Sequence, residues 1–350
     1  MAKRKPKLLV IGTGGTIGSK PVENVLKIGE VPQEEIIKII PRISNIFEIE
    51  TSNLFRVDSS DIRPENWLTL ANFIYYKLKE YDGIVVTSGT NTMAYMASAI
   101  AFLIQNLNKP IVFTGAVVDP TQINTDARRN MREAIMCAGN SNIAEPVIVS
   151  YEKIIRATKA RKVNASEYDA FESVGEEPIA KVERFIYYNN IKFRKKSNSQ
   201  PKLYSKLETN VGIFKTYPGF DPRRIIEAVD SGVKGMVLEG VGIGNLPMPD
   251  NRMEEAIKYA NSRNAIVVVS SACTMGTYWS EIYRPELGYR FENIKVIPAY
   301  DMLTEVAYIK LMWVLGITQD FAEVKKMMQK NYCGEITEIK ENKQKIGVVI

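Results

Sequence analysis

The sequence predicts an α/β protein, with a larger N-terminal domain on a doubly wound, mainly parallel sheet and a smaller C-terminal parallel α/β domain. Two observations predict this class. Short apolar runs typical of buried parallel strands alternate with helical patterns along the chain. A polar, basic stretch then separates a first α/β series from a second. The 350 residues are enough for one large or two medium domains.

The first series begins with the apolar run 8–11, which ends in a turn rich in glycine and threonine. Further strands are expected at 46–57, 84–87, 110–114 and 147–151, and helices at 31–40, 64–81, 93–107 and 125–138. The polar segment 19–30 is expected to be a loop near the turn, and 154–191 to contain extended segments. Together these elements make up an N-terminal domain over residues 1–192.

A linker is expected at 193–209, followed by a C-terminal domain at 210–337 and a tail at 338–350 to which no element is assigned. The second series has expected strands at 210–216, 235–239, 265–270 and 294–298, and helices at 221–229, 252–262, 302–315 and 320–329. Glycines recur at alternate positions from 240 to 244, but no acidic ribose partner follows them. A tight connection between a strand and a helix is therefore the better interpretation.

The turn at 12–18 is the first candidate site. Its glycines permit positive φ and a close approach of backbone to ligand, and open α/β sheets bind ligands at the carboxyl ends of their strands. Ile17 stands where a dinucleotide fingerprint has its third glycine, and no Gly-Lys-Ser/Thr follows, so both phosphate-binding interpretations are weak. A plain βα turn with satisfied threonines remains open. The turn at 88–92 is a second candidate, although its hydroxyls also suit a helix cap.

Composition excludes several classes of site. The chain has no histidine, which rules out Ser-His-Asp catalysis and every histidine-ligated metal site. Three cysteines stand far apart and fit a reducing cytoplasm, and neither a signal peptide nor an apolar run of membrane-spanning length is present. The 46 basic and 40 acidic residues give a net charge of only +6. Since the basic clusters at 3–7 and 194–196 do not alternate with aromatics, we expect solvated surface and no direct nucleic-acid contact.

Both candidate turns resemble motifs of the L-asparaginase family. They read Thr13-Gly14-Gly15-Thr16-Ile17 and Thr87-Ser88-Gly89-Thr90-Asn91-Thr92-Met93. Asp58-Ser59-Ser60-Asp61 is similar to the family's substrate-binding serine segment, and Lys162 lies nine residues before Phe171, as the family's catalytic lysine does. The similarity extends over residues 7–337, including 239–245 and the helix 304–316 of the smaller domain.

The resemblance implies an amidohydrolase that converts asparagine and water to aspartate and ammonia. Thr16 would be the nucleophile, activated by removal of its proton, and Thr90, Asn91 and Lys162 would complete the catalytic group. The implied substrate-binding residues are Gly15, Asp58, Ser59, Ser60, Gly89, Thr90 and Asn91, with oxyanion donors from the main chain near 89–90. No metal or cofactor is implied.

Two positions depart from the family pattern, which usually reads His-Gly-Thr-Asp-Thr. Ser88 replaces the histidine and Asn91 replaces the aspartate, whose charge would meet the substrate's α-ammonium and the lysine. Loss of one charge-assisted hydrogen bond costs about 1.5–3 kcal/mol. In addition, 19–30 contains no tyrosine, which the family's lid usually provides. A catalytically impaired amino-acid-binding or regulatory paralogue is therefore the alternative function.

The sequence is also similar to the asparaginase-like D subunit of archaeal glutamyl-tRNA amidotransferase, and a glutaminase subunit of such an enzyme is a further alternative. That protein has an extra domain before its first strand, whereas few residues precede Leu8 here, so a free-standing archaeal cytoplasmic enzyme is expected. In the family a neighbouring subunit completes the active site. A homodimer or dimer of dimers is therefore expected, with 270–278 as the segment to watch, and the substrate is asparagine or glutamine.

Overall fold

The computed structural model describes residues 4–22, 25–27, 31–38, 40–275 and 294–337. In the first part of the chain the strands are β1 (Lys7–Gly12), β2 (Lys20–Val22), β3 (Val25–Lys27), β4 (Glu48–Asn53), β5 (Gly83–Thr87), β6 (Ile104–Gln105), β7 (Ile111–Thr114), β8 (Pro146–Ser150), β9 (Lys153–Arg156), β10 (Ala160–Lys162), β11 (Phe171–Ser173), β12 (Ala180–Val182), β13 (Ile186–Tyr188) and β14 (Lys202–Leu203). The helices are α1 (Gln33–Lys38), α2 (Ile43–Ile46), α3 (Pro64–Lys77), α4 (Met93–Leu103) and α5 (Ala127–Asn140). Single 3-10 turns lie at Thr16–Gly18, Ser59–Asp61 and Ala157–Lys159.

Eight of these strands form the large sheet, in the order β13-β12-β9-β8-β7-β5-β1-β4. The five strands from β8 to β4 are parallel, and β9, β12 and β13 extend the sheet in antiparallel fashion. In β1, Leu9 and Ile11 join the core under α3 and α4, whereas Leu8 and Val10 join the core under α1 and α5. Helices therefore cover both faces of the sheet, as its continuous apolar strands predict.

The second part of the chain forms a four-stranded parallel sheet, β15-β16-β17-β18. Its strands are β15 (Val211–Lys215), β16 (Gly235–Gly240), β17 (Ile266–Ser271) and β18 (Val296–Pro298), and its helices are α6 (Arg223–Asp230), α7 (Arg252–Ser262), α8 (Thr304–Leu315) and α9 (Phe321–Gln329). The expected α/β class, with a larger mainly parallel sheet and a smaller parallel one, is confirmed.

The two sheets share one hydrophobic core through α4 and α8. Both helices are buried on nearly all sides, and the ring of Phe102 in α4 stacks on Trp313 in α8, with centroids 5.6 Å apart. A helix that is apolar on every side must be covered on every side. The pairing of α4 with α8 therefore fixes one domain against the other.

Several elements differ from expectation. The strand expected at 46–57 spans only Glu48–Asn53, and the helix expected at 64–81 ends at Lys77. Lys20–Val22 and Val25–Lys27 form an antiparallel ladder where a loop was expected. The helix from residue 93 ends at Leu103 rather than at 107, because Ile104–Gln105 pairs with Lys202–Leu203 from the expected linker. That segment therefore packs on the larger domain. The tail at 338–350 lies outside the described residues, among which no helix is long and apolar enough to cross a membrane.

Candidate active site

The turns that follow β1, β4 and β5 meet because their strands end at the same level. Gly12 stands beside Asn53 of β4 and beside Thr87 of β5 in the parallel ladders. The main-chain N–H and the hydroxyl of Thr13 both donate to the Thr87 carbonyl, at 3.0 and 2.8 Å. Thr13, fully buried, thus ties the first turn to the third. Register and these two bonds bring the threonine-containing turns into contact.

Gly15 and Gly89 make the closest contact between these turns. Gly15 has a φ of 80°, and a Cβ built on it would lie 2.0 Å from the Gly89 nitrogen. A Cβ on Gly89 would lie 2.5 Å from the Ser59 hydroxyl oxygen in the turn after β4. Only glycine allows such an approach of backbone to backbone. As Thr16 follows Gly15 and Thr90 follows Gly89, the two threonines sit on adjoining backbone.

Lys162 reaches the third turn from a separate hairpin. It is the last residue of β10 and pairs with Phe171 of β11. Its ammonium donates to the Thr90 hydroxyl at 2.8 Å and to the Asn91 carbonyl Oδ1 at 2.9 Å. Partial burial lowers the pKa of Lys162 from its ordinary value. The structure therefore brings Lys162, Thr90 and Asn91 together as one hydrogen-bonded group.

Thr16 opens the 3-10 turn after β1 and is partly buried. Its hydroxyl makes no hydrogen bond to any other residue that the structure describes, so it is not yet linked to Thr90. The main-chain N–H groups of Gly89 and Thr90 are likewise unbonded within the described parts of the chain. Free N–H groups on a tight turn provide donors for a developing negative charge.

The three residues Asp58, Ser59 and Ser60, which follow β4, make different contacts. The Asp58 carboxylate accepts from the Ser60 N–H at 2.7 Å and so caps its own 3-10 turn. Ser59 is buried beside Gly89, and Ser60 is exposed and accepts from the Asn91 amide at 3.3 Å. Among Asp58, Ser59 and Ser60, only Ser59 is buried, beside the turn that contains Gly89. The carboxylate oxygen of Asp58 that accepts from the Ser60 N–H is used within its own turn.

Two supporting residues were not among the predicted site residues. The Thr92 hydroxyl donates to the Ser59 carbonyl and ties the second turn to the third. A Cβ on Gly115, after β7, would lie 3.0 Å from the methyl of Thr90 and 2.5 Å from the Ser88 carbonyl oxygen. Thr92 lies within the motif at 87–93, and Gly115 directly follows the strand expected at 110–114. Both residues could therefore have been selected from the sequence.

The group around Lys162 carries a positive charge without a carboxylate partner among its bonded neighbours. Asn91 offers one neutral carbonyl to the ammonium and turns its NH2 toward Ser60. The hydroxyl of buried Ser88 donates to the carbonyl of the next residue, Gly89, at 3.1 Å. No carboxylate among these bonded neighbours stabilises the ammonium, so nothing there opposes the lowering of the Lys162 pKa by burial. Once Lys162 loses its proton, the amine beside the Thr90 hydroxyl can act as a base.

Part of the segment 270–278 falls outside the described residues. Ser270 itself is fully buried, and its hydroxyl lies 2.8 Å from that of Thr304 in the same chain. Its side chain therefore supports the C-terminal domain from within.

No cluster of three or more His, Cys, Asp or Glu side chains that could hold a metal ion occurs within the described ranges.

Two α/β domains in this order also occur in a known family. The family model "Asparaginase, N-terminal" matches residues 7–197, and "Glutaminase/Asparaginase C-terminal domain" matches residues 210–328. The chain belongs to the asparaginase family.

Its relatives carry two different names. The L-asparaginase of Thermococcus kodakarensis is 35% identical over 335 residues, covering 95% of this chain and 99% of that protein. The D subunit of the glutamyl-tRNA(Gln) amidotransferase of Pyrococcus abyssi is 37% identical over 343 residues, covering 95% of this chain and 77% of that protein.

Solved structures agree in fold. The thermostable L-asparaginase from Thermococcus kodakarensis superposes with a TM-score of 0.87 at 34% identity, covering 95% of this chain and 100% of that one. A probable cytoplasmic L-asparaginase from Campylobacter jejuni gives a TM-score of 0.78 at 26% identity, covering 93% and 100%.

Proposed function

We propose that this protein is an L-asparaginase-type amidohydrolase that uses Thr16 as its nucleophile. The observation that carries the proposal is the hydrogen bond of 2.8 Å between Lys162 and Thr90, on a turn whose backbone touches the turn of Thr16. A threonine hydroxyl needs a base to attack an amide, and a lysine whose pKa is lowered by burial can act as one.

In the first half of the reaction, the Thr16 Oγ1 attacks the side-chain amide carbon of asparagine. Its proton passes to the Lys162 amine through the Thr90 hydroxyl, while the N–H groups of Gly89 and Thr90 stabilise the oxyanion. The carbon–nitrogen bond then breaks, and the nitrogen leaves as ammonia with the proton returned by Lys162. Thr16 is left as an ester of aspartate.

In the second half, water attacks the ester carbon and gives its proton to the same relay. The bond to Thr16 breaks, the threonine recovers its proton and aspartate is released. Ser59, buried beside Gly89, suits the substrate's α-carboxylate. The Asn91 carbonyl has two lone pairs and can accept from the α-ammonium and from Lys162 together. A neutral carbonyl does this more weakly than a carboxylate, so we expect turnover to be slow.

The test is steady-state release of ammonia from asparagine and from glutamine. Thr16→Val keeps the shape of the side chain and removes the hydroxyl, whereas Thr16→Ser keeps a hydroxyl. We expect no turnover from the first and measurable turnover from the second. Hydrolysis that persists in Thr16→Val would refute the nucleophile. Absence of hydrolysis in the wild-type protein, with asparagine still bound, would support the binding or regulatory paralogue instead.

A second candidate is a glutaminase subunit that supplies ammonia to a tRNA-dependent amidotransferase. The 37% identity to the D subunit from Pyrococcus abyssi favours it. Glutamine would then be preferred over asparagine, and hydrolysis would increase when the transferase partner is added. A strong preference for asparagine that no partner alters would exclude this candidate.

We also propose a homodimer or dimer of dimers in the cytoplasm. The location is supported by three free cysteines and by the similarity to a probable cytoplasmic L-asparaginase. The assembly is supported by the resemblance to asparaginases, in which a neighbour completes the site. Light scattering of the purified protein measures the assembly, and a monomer with full activity would contradict it.

A further inference from the structure

One exposed segment of this protein carries a high net positive charge. Residues 181–196, called here the basic edge, contain six basic side chains and one acidic one, a net charge of +5 against +6 for the whole chain. The basic residues are Lys181, Arg184, Lys192, Arg194, Lys195 and Lys196. The segment 153–162 has the same net charge, but its Lys153, Arg156 and Lys159 form ion pairs with acidic side chains. A cluster of basic side chains such as the basic edge favours an anionic partner.

The basic edge lies at one end of the large sheet, far from the catalytic turns in strand order. It contains β13, the outermost strand, whereas the turns of the candidate site follow β1, β4 and β5. The segment after β13 is held in place by main-chain bonds: the Ala144 N–H donates to the Arg194 carbonyl at 2.8 Å, and the Lys196 N–H donates to the Asn142 carbonyl at 3.1 Å. Lys195 and Lys196 are exposed on this fixed backbone, whereas Arg194 is half-buried and donates to the Tyr332 carbonyl at 3.3 Å.

Aromatic rings stand between these charges. Phe185 is 60% exposed and Tyr187 is 51% exposed, and their rings meet edge to face with centroids 6.5 Å apart. In the ladder, Lys181 stands directly opposite Tyr187. Arg184 lies 5.4 Å from the centre of the Phe185 ring. Large aromatic faces left in water beside cations suit partners that carry both negative charge and flat rings.

A second aromatic pair lines a concavity on the opposite face of β13, because Tyr187 and Tyr188 are neighbours in a strand and point to opposite sides. Tyr188 stacks on Phe193 with centroids 5.2 Å apart and planes at 10°. Both rings, together with Lys192, Lys195 and Asn142, line a space of about 590 Å³. That volume lies in the range of small-molecule sites. Residues 194–196 were expected to be solvated surface, and Lys195 and Lys196 are exposed. The Lys195 ammonium lies 5.8 Å from the centre of the Phe193 ring, so a charge and a ring stand side by side.

Other occupants fit this surface less well. A second copy paired along β13 would bring two equally positive segments together, and like charges in contact oppose association. Acidic side chains of a protein would pair with the basic residues, but they would offer no flat rings to stack on the exposed aromatic side chains. A nucleic-acid duplex hides its bases in the stack, so it could not use the rings either.

We propose that the basic edge binds single-stranded nucleic acid, with phosphates held by the basic side chains and bases stacked on the exposed rings. The interaction is independent of amide hydrolysis and does not rest on the proposed function. RNA and DNA share the chemistry that the surface recognises.

The experiment is fluorescence anisotropy of the full-length protein with a labelled 12-mer of uridylate and one of deoxythymidylate. We expect both to bind at low salt, with log K falling by about 0.7 per decade of salt for each phosphate neutralised. Inorganic polyphosphate, which has the charge without the bases, should compete poorly. Tighter binding of the uridylate would identify RNA as the natural source.

Two pairs of variants separate stacking from charge. Phe185→Ala with Tyr187→Ala should weaken binding about tenfold or more at constant salt slope. Lys181→Glu with Arg184→Glu should weaken it and make the slope shallower, by about 0.7 for each phosphate that is no longer neutralised. The matched controls are Tyr217→Ala, which removes a 46% exposed tyrosine from another aromatic pair, and Lys325→Glu with Lys326→Glu in α9. Both controls should bind as the wild-type protein does.

Circular dichroism and unchanged thermal unfolding confirm that the variants are folded. The proposal is overturned if neither oligonucleotide binds in low salt, or if the α9 control loses as much affinity as Lys181→Glu with Arg184→Glu. It is also overturned if polyphosphate, an acidic peptide or vesicles of anionic lipid bind as tightly as the oligonucleotides, because the rings would then contribute nothing.

Discussion

Gly15 and Gly89 hold two strand turns in backbone contact, since a Cβ on the first would lie only 2.0 Å from the nitrogen of the second. The contact places the residue after each glycine, Thr16 and Thr90, on adjoining backbone. A side chain added at Gly15 would meet main-chain atoms of Gly89 and Ser88, which cannot move aside as a flexible side chain could.

Gly15→Ala is therefore expected to abolish most amide hydrolysis and to lower the free energy of unfolding by about 2–4 kcal/mol. Both the positive φ and the overpacking against Gly89 contribute. The matched control is Gly219→Ala, at a φ of 86° with nothing within 4 Å of its Cβ. It should cost about 1–2 kcal/mol and leave hydrolysis unchanged. Equal losses in the two variants, measured by urea denaturation, would show that the contact between the turns contributes nothing.

Asn91→Asp is expected to raise kcat/KM for asparagine about ten- to a hundredfold, measured at alkaline pH. The change places a carboxylate at the position of the Asn91 carbonyl, 2.9 Å from the Lys162 ammonium and, in the proposed reaction, beside the substrate's ammonium. A charge-assisted hydrogen bond contributes about 1.5–3 kcal/mol, and each 1.4 kcal/mol is about tenfold. Asn45→Asp, which makes the same substitution at an exposed position of α2, serves as the control and should change kcat/KM little. A loss of activity in Asn91→Asp would mean that this site uses the amide itself.

The pH dependence of kcat/KM should contain a rising limb set by Lys162. Only the neutral amine accepts a proton, so activity rises as pH passes the pKa of Lys162, which burial lowers from its ordinary value. In Asn91→Asp the neighbouring carboxylate stabilises the ammonium and raises that pKa, so the limb should move to higher pH. Lys162→Arg, whose guanidinium stays charged, should lose the limb together with activity. A limb that remains in place in Asn91→Asp would assign it to another group.

The buried pair Lys310–Glu335 predicts a large effect far from the site. Both side chains are fully buried, and the Lys310 ammonium donates to Glu335 at 2.7 Å and to the carbonyls of Met328 and Lys330. Lys310→Met leaves a buried carboxylate without its cation and should lower the free energy of unfolding by about 3–5 kcal/mol.

Lys326→Met serves as the control for this prediction. It breaks an exposed ion pair of the same type with Glu323 in α9, and it should change the free energy of unfolding by less than about 1 kcal/mol. Adding Glu335→Gln to Lys310→Met should restore part of the loss, because the buried charge disappears with its partner. Similar values for both single variants in urea denaturation would contradict the prediction.

Most of the fold could be predicted because each strand and helix leaves a local pattern. The apolar run of β1 and the helical spacing of α7 are visible in the sequence, and their expected bounds lie within a residue of those observed. The end of α4 could not be predicted, since Ile104–Gln105 leaves the helix to pair with Lys202–Leu203, almost a hundred residues away. A pairing over such a distance has no local pattern.

For the candidate site, the residue types follow from the sequence: Thr16 on a glycine turn, Thr90 and Asn91 on another, and Lys162 among extended segments. Histidine takes no part, because the chain has none. Which of these side chains touch is known only from the folded chain. Lys162 bonds to Thr90 and Asn91, Asp58 caps its own turn, and the basic residues near 194 lie beside the rings of β13. Contacts of this kind depend on strand register and on backbone approach, which are properties of several segments together and of none alone.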